Sequence, residues 1–137
     1  MRLSTRSRYG ARMMMDLAEH YDKGPTPLGD IAKRQDISVK YLEQLIIPLK
    51  QGNFIRSVRG PKGGHMLARP PEEINVGQIV TALERGTDLT NCIGNPIECG
   101  RASSCLTRCI WKDVSRMIYD HLHSITLSTI LEMEESE

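Results

Sequence analysis

The feature that restricts this chain most is a glycine-rich turn, Gly60-Pro61-Lys62-Gly63-Gly64, set between two short alternating segments and directly behind two short helices. Phe54 to Arg59 alternates like a strand, and His65 to Arg69 can return beside it. Upstream, Leu28 to Gln35 reads as a short helix with Thr26 as its cap and Pro27 in its first turn. Asp36-Ile37 is a tight link, and Ser38 opens a helix to about Gln51 with the apolar face Tyr41, Leu42, Leu45, Ile46 and Leu49. Gly52-Asn53 stops that helix, and Pro48 within it predicts a kink or one loosened hydrogen bond. Two short helices across a tight link have the shape of a helix-turn-helix, and a basic hairpin behind them is a wing. The expected fold is therefore mainly α: a winged helix-turn-helix with a small β-hairpin wing.

The rest of the chain supplies helices around that unit. Tyr9, Met13, Leu17 and Tyr21 recur every four residues and predict an amphipathic helix over 7–21. Its methionine stripe reads as core packing rather than as a cofactor contact. A further short helix is expected over 76–84, followed by an aperiodic stretch from Gly86 to about Ser104. From Cys105 to Ile125 the apolar residues Ile110, Trp111, Val114, Met117, Ile118, Leu122 and Ile125 predict a long helix. That spacing suits burial against a partner helix or against the module itself. Thr126 is placed to cap a last short helix before an acidic tail, Glu132 to Glu137.

Charge points to a polyanion partner. The net charge of +1 hides a basic first half, with 13 Lys and Arg against 6 Asp and Glu over residues 1–70. Residues 71–137 hold 5 against 11. Such asymmetry fits a nucleic-acid-binding module followed by an acidic extension, although clustering on solvated faces gives the same count. The longest apolar runs, Met13 to Met15 and Leu45 to Ile47, fall far short of the roughly 18 residues of a membrane span. No signal peptide follows Met1-Arg2, so a cytoplasmic protein is expected.

In a helix-turn-helix the second helix enters the major groove with its N-terminal side chains. Ser38, Lys40, Tyr41, Glu43 and Gln44 are the candidates there, with Tyr41 also on the apolar face. Gln pairs with adenine, Glu accepts from cytosine N4, and Ser or Lys holds phosphate. In the wing, Arg59 and Lys62 flank a turn in which Gly63 lets the backbone approach a sugar–phosphate surface. An arginine at such a tip enters the minor groove, while a solvated surface hairpin is the plainer alternative.

All four cysteines, Cys92, Cys99, Cys105 and Cys109, lie within 18 residues. Crowded thiols in a chain of this kind read as metal ligands or a redox pair rather than a disulfide framework. No Cys-x-x-Cys unit of the zinc-ribbon type occurs. Isolated thiolates in a glycine-rich loop suit an iron–sulfur cluster, with zinc, redox thiols and buried cysteines as alternatives. A small redox enzyme would need a Cys-x-x-Cys pair or an acid–base constellation, and neither is visible. The histidines His20, His65, His121 and His123 are scattered and read as surface or packing residues.

Four stretches carry a resemblance: Met1-Arg2-Leu3-Ser4, Tyr41-Leu42-Glu43-Gln44-Leu45, Ser57 to Gly64, and the cysteine loop ending Cys105-Leu106-Thr107. Together they resemble the IscR-like branch of bacterial winged-helix regulators, from Met1 to about residue 130. The resemblance implies a homodimeric transcription regulator, a repressor, that binds double-stranded DNA and carries an iron–sulfur cluster sensed through loss, redox change or nitric oxide. A 2Fe–2S cluster is expected, with 4Fe–4S open. The rival of the same fold is a zinc- or thiol-based repressor. By the same likeness Cys92, Cys99 and Cys105 match the family thiolates, Glu43 a base-reading position and Arg59 the minor-groove arginine. The interval from Cys92 to Cys99 is one residue longer than the family's. The family histidine ligand falls at Arg108, and the carboxylate used by nitric-oxide sensors falls at Arg8. Cys109, one helical turn past Cys105, is the expected fourth ligand. No membrane and no small-molecule substrate are expected. The expected division is a DNA-binding domain over 1–71 and a cluster-binding loop with a long C-terminal dimerisation helix over 72–137.

Overall fold

The computed structural model describes residues 2–84, 89–98 and 100–136. Helix α1 (Thr5–Glu19) starts where the Ser4 hydroxyl accepts from the Ser7 amide at 3.2 Å. It is the central helix, and α2 (Leu28–Gln35), α3 (Val39–Gln51), α4 (Val76–Leu83) and α7 (Leu127–Glu135) all pack on it. Met13 and Met14 are fully buried in the core. Gly10 allows α4 to come close, because a Cβ there would collide with Leu83. Just past α4, Glu84 accepts from the Ser4 amide (2.9 Å) and the Ser7 hydroxyl (2.6 Å). Burial raises the Glu84 pKa, but these bonds outweigh it and leave the carboxyl below its ordinary range.

Thr26 does not cap α2. Pro27 occupies the cap position without a side-chain bond, and the Thr26 backbone instead exchanges two 2.8 Å hydrogen bonds with His65. The pairing is long-range, so local cap chemistry could not reveal it. Asp36 closes α2 in the left-handed region (φ 52°), and Ser38 caps α3 through the Tyr41 amide at 3.1 Å. Helix α3 runs on through Pro48 to Gln51. Strands β1 (Ile55–Val58) and β2 (Gly64–Leu67) pair antiparallel, with Ile55 opposite Leu67 and Val58 opposite Gly64. Gly60 at φ 113° makes the turn that a side chain would strain.

Helix α4 begins with a reciprocal capping box between Asn75 and Gln78. Among its described residues the aperiodic stretch holds a single-turn α5 (Asn91–Gly94) and a 3₁₀ turn over Pro96–Glu98. They are too brief for periodicity to register. Helix α6 covers Leu106–His123, with Cys105 as its cap and not its first turn. Helix α7, capped by Thr126, runs to Glu135, so much of the acidic tail is helical. Residues beyond 71 share the core of the first segment, since Ile74, Ile79, Leu83 and Leu127 pack with Met14, Leu17 and Leu45.

One charged group lies inside this core. Asp16 is 1% exposed and receives Arg34 through Nε (2.9 Å) and a terminal nitrogen (2.7 Å), and Gln35 at 3.0 Å. Burial alone would raise the Asp16 pKa, but the bonds from Arg34 and Gln35 and the guanidinium charge hold it below the usual carboxylate range. Its stabilisation is therefore present above the unfolded pKa of about 3.9 and fades as pH falls through the lower folded value. Arg34→Ala strands a buried carboxylate and should cost about 3 kcal/mol, the low end for a broken pair because Arg34 is itself part exposed. In the variant burial dominates and raises the Asp16 pKa, so the deficit should be largest at neutral pH and shrink as pH falls through that raised value and then through the lowered wild-type one. Urea unfolding across pH checks this, and a pH-independent deficit would contradict it.

Candidate functional site

The Ser38 cap fixes the start of α3 and leaves Ser38, Lys40, Glu43 and Gln44 exposed together on its outer face. Capping uses the Ser38 hydroxyl as acceptor, so its proton is still available to an anion. Tyr41 is half-buried and meets Tyr9 edge-on, with ring centroids 5.8 Å apart. Packing is thus part of its role, as its place on the apolar face suggests.

The same contact draws in two arginines of α1. Arg8 and Arg12 stand 6.0 and 5.4 Å from the Tyr9 ring centroid. Arg12 also donates to the Gln35 side chain and to the Gln35 carbonyl. Their four-residue spacing places them on one face of α1.

Arg59 and Lys62 are exposed at the hairpin tip, and Gly63 is half-buried where a Cβ would strike the Val58 carbonyl. The wing is fixed at its base. His65 bonds the Thr26 backbone through its own backbone, and its ring nitrogen Nδ1 meets the Ser57 hydroxyl at 2.9 Å. Burial, and then the Lys50 charge, push the His65 pKa down, so the ring is held neutral. Helix α3 and the hairpin thus both present exposed polar side chains.

Of the four cysteines, Cys99 lies outside the described residues and Cys92 is placed by its backbone in α5. Helix α5 packs on α6, and the Leu89 amide donates to Ser115 of α6 at 2.9 Å. Cys105 caps α6 with its sulfur 3.2 Å from the Thr107 hydroxyl. That hydroxyl, then the amides of Arg108 and Thr107 and the charge of Arg101, lower its pKa and favour thiolate. Cys109 is exposed one turn further on. Among the described residues no group of three His, Cys, Asp or Glu donors converges as a metal site. The donor chemistry is that of thiolates at a helix start, which suits a soft metal centre.

Helix α6 is poorly covered. Among the described residues of α6 only Ser115 is buried, while Ile110, Trp111 and Met117 are 54%, 42% and 69% exposed. Val114, Met117, Ile118 and Leu122 line an open apolar groove with His121. No helix among the described residues is long and apolar enough to cross a membrane.

Comparison with known proteins supplies a lineage. The Rrf2 family model, described as an iron-dependent transcriptional regulator, matches residues 3–133. The HTH-type transcriptional regulator IscR of Erwinia tasmaniensis is 42% identical over 135 residues, covering 98% of this chain and 81% of that relative. IscR of Pectobacterium atrosepticum is also 42% identical, over 98% and 82%. Among solved structures, T. potens IscR aligns with TM-score 0.79 at 38% identity, covering 100% of this chain and 89% of the other. CymR, the global cysteine regulator of B. subtilis, aligns with TM-score 0.81 at 31% identity, over 97% and 98%.

Proposed function

The chain belongs to the Rrf2 family of transcription regulators, so it is a DNA-binding regulator and not an enzyme, and we propose that it works as a dimeric, iron–sulfur-dependent repressor. The observation that carries the DNA reading is the Ser38-capped helix with Lys40, Glu43 and Gln44 exposed on one face beside a wing bearing Arg59 and Lys62. In this reading residues 1–71 bind DNA, and 72–137 hold the cluster and pair the subunits. Glu43 and Gln44 meet base edges in the major groove, and Tyr41 braces them. Ser38, Lys40 and the Gly63 backbone approach phosphate. Arg59 enters the minor groove, and Lys62 holds the flanking strand.

Cys92, Cys99, Cys105 and Cys109 are the proposed cluster ligands. The Thr107 hydroxyl and the first amides of α6 lower the Cys105 pKa, and exposed Cys109 sits one turn on, at the spacing that brings side chains to one face. A cluster held there, 2Fe–2S by preference, would make DNA binding depend on iron supply, redox state or nitric oxide. The lowered Cys105 pKa and an exposed second thiol one turn on also favour a thiol-based repressor as the second reading.

DNA selection tests the reading of helix and wing. Duplexes chosen by the wild-type protein from a random pool should share one paired half-site. Glu43→Ala should weaken binding by about 1–3 kcal/mol and relax preference at one position. Arg59→Ala should weaken binding most where A·T-rich flanks narrow the minor groove. Lys62→Ala should weaken all sequences alike and flatten the salt dependence. An Arg59→Ala protein with unchanged affinity and preference would remove the wing from the groove.

A further inference from the structure

Helix α3 carries an apolar side chain among its exposed polar residues. Val39 is the first residue of α3, next to the Ser38 cap, and is 40% exposed. It stands four residues before Glu43, so the two share one ridge of the helix. Ile47, four residues beyond Glu43, continues the ridge at 59% exposure. Water is a poor neighbour for either, and neither belongs to the core cluster. The core side of α3 is already filled by Leu42, Leu45, Ile46 and Leu49.

Resting on the proposed function, we propose that Val39 is a base-reading residue that packs against the C5-methyl of a thymine in the major groove. Apolar contact is how proteins distinguish thymine, whose methyl is the one apolar mark on the major-groove edge. A β-branched side chain in a helix holds essentially one χ1 rotamer, so the contact is organised before DNA arrives. Its place at the helix N-terminus is where a recognition helix reaches base edges. The geometry also sets the spacing. One helical turn advances about 5.4 Å and one base step about 3.4 Å. The thymine should therefore lie one or two steps from the base pair that Glu43 reads. Ile47 sits two turns into the helix, further from the end that reads bases.

The test removes the methyl from the DNA rather than from the protein alone. A duplex selected by the wild-type chain is remade with each thymine of one half-site replaced in turn by uracil. Affinity is then measured by anisotropy for wild type, Val39→Ala and Ile47→Ala. One replacement, one or two steps from the Glu43-dependent pair, should weaken wild type about fourfold, the worth of one buried methyl. The same replacement should leave Val39→Ala unchanged and weaken Ile47→Ala as it does wild type. Circular dichroism confirms that the exposed substitutions keep the fold. If every uracil affects Val39→Ala as it affects wild type, or if Ile47→Ala is the insensitive variant, the assignment is overturned. A wild-type chain that selects no sequence overturns the proposed base reading together with this inference, whereas selection without methyl sensitivity overturns this inference alone.

Discussion

Ile118→Glu should halve the mass of the particle in light scattering and lower affinity for a paired half-site at least about 100-fold, the loss expected when two linked contacts become one. The reason is the surface of α6. Its groove of Val114, Met117, Ile118 and Leu122 is open, and Met117 is 69% exposed. An 18-residue helix with a single buried residue cannot owe its apolar stripe to the core of its own subunit. Large exposed apolar patches on a regulator mark partner contacts, and a two-fold pair of helices closes such a patch on itself. A glutamate at the centre of that contact would bury a charge against Val114, Met117 and Leu122. Residue 118 is distant in sequence from both α3 and the wing, so lost affinity with an unchanged monomer fold would report assembly. A wild-type chain that is monomeric at micromolar concentration would contradict the proposal.

Cys109→Ser should lose the cluster as fully as Cys105→Ser when both are purified anaerobically. A cluster of this kind takes four protein donors, and a serine hydroxyl is a far poorer ligand for iron than a thiolate. Position 108 holds an arginine, which cannot ligate, while the exposed thiol at 109 follows the Cys105 cap by one turn. Four thiolates place more negative charge around the iron than three with an imidazole, so the reduction potential should lie lower. Full cluster content in Cys109→Ser beside an empty Cys105→Ser would shift the fourth ligand to a histidine, a carboxylate or the second subunit.

The architecture was largely legible because its signals are local. The four-residue rhythm of Tyr9, Met13 and Leu17 marks α1, Ser38 marks the start of α3, and the five-residue glycine turn marks the wing. What stayed hidden is long-range or too short to repeat. The Asp16–Arg34 pair joins residues 18 apart, and nothing in either helix alone predicts a buried carboxylate. Thr26 has the chemistry of a cap, yet its backbone is committed to His65 across 39 positions. Single-turn α5 has no period to detect. Cys105 at the head of α6 was legible to within one residue from the apolar spacing that follows it. For the DNA face, side-chain type suggested Lys40, Glu43 and Gln44, but exposure of apolar Val39 is visible only in the folded chain.

A DNA-binding regulator of this shape is proposed to hold an iron–sulfur cluster on its cysteines. Iron and acid-labile sulfide content, read with the visible absorption spectrum of the anaerobically purified wild-type protein, tests it most directly. The account predicts both elements in fixed proportion to the chain, with charge-transfer bands that vanish in Cys105→Ser. A colourless protein containing zinc or no metal, still selecting the same DNA, would contradict it.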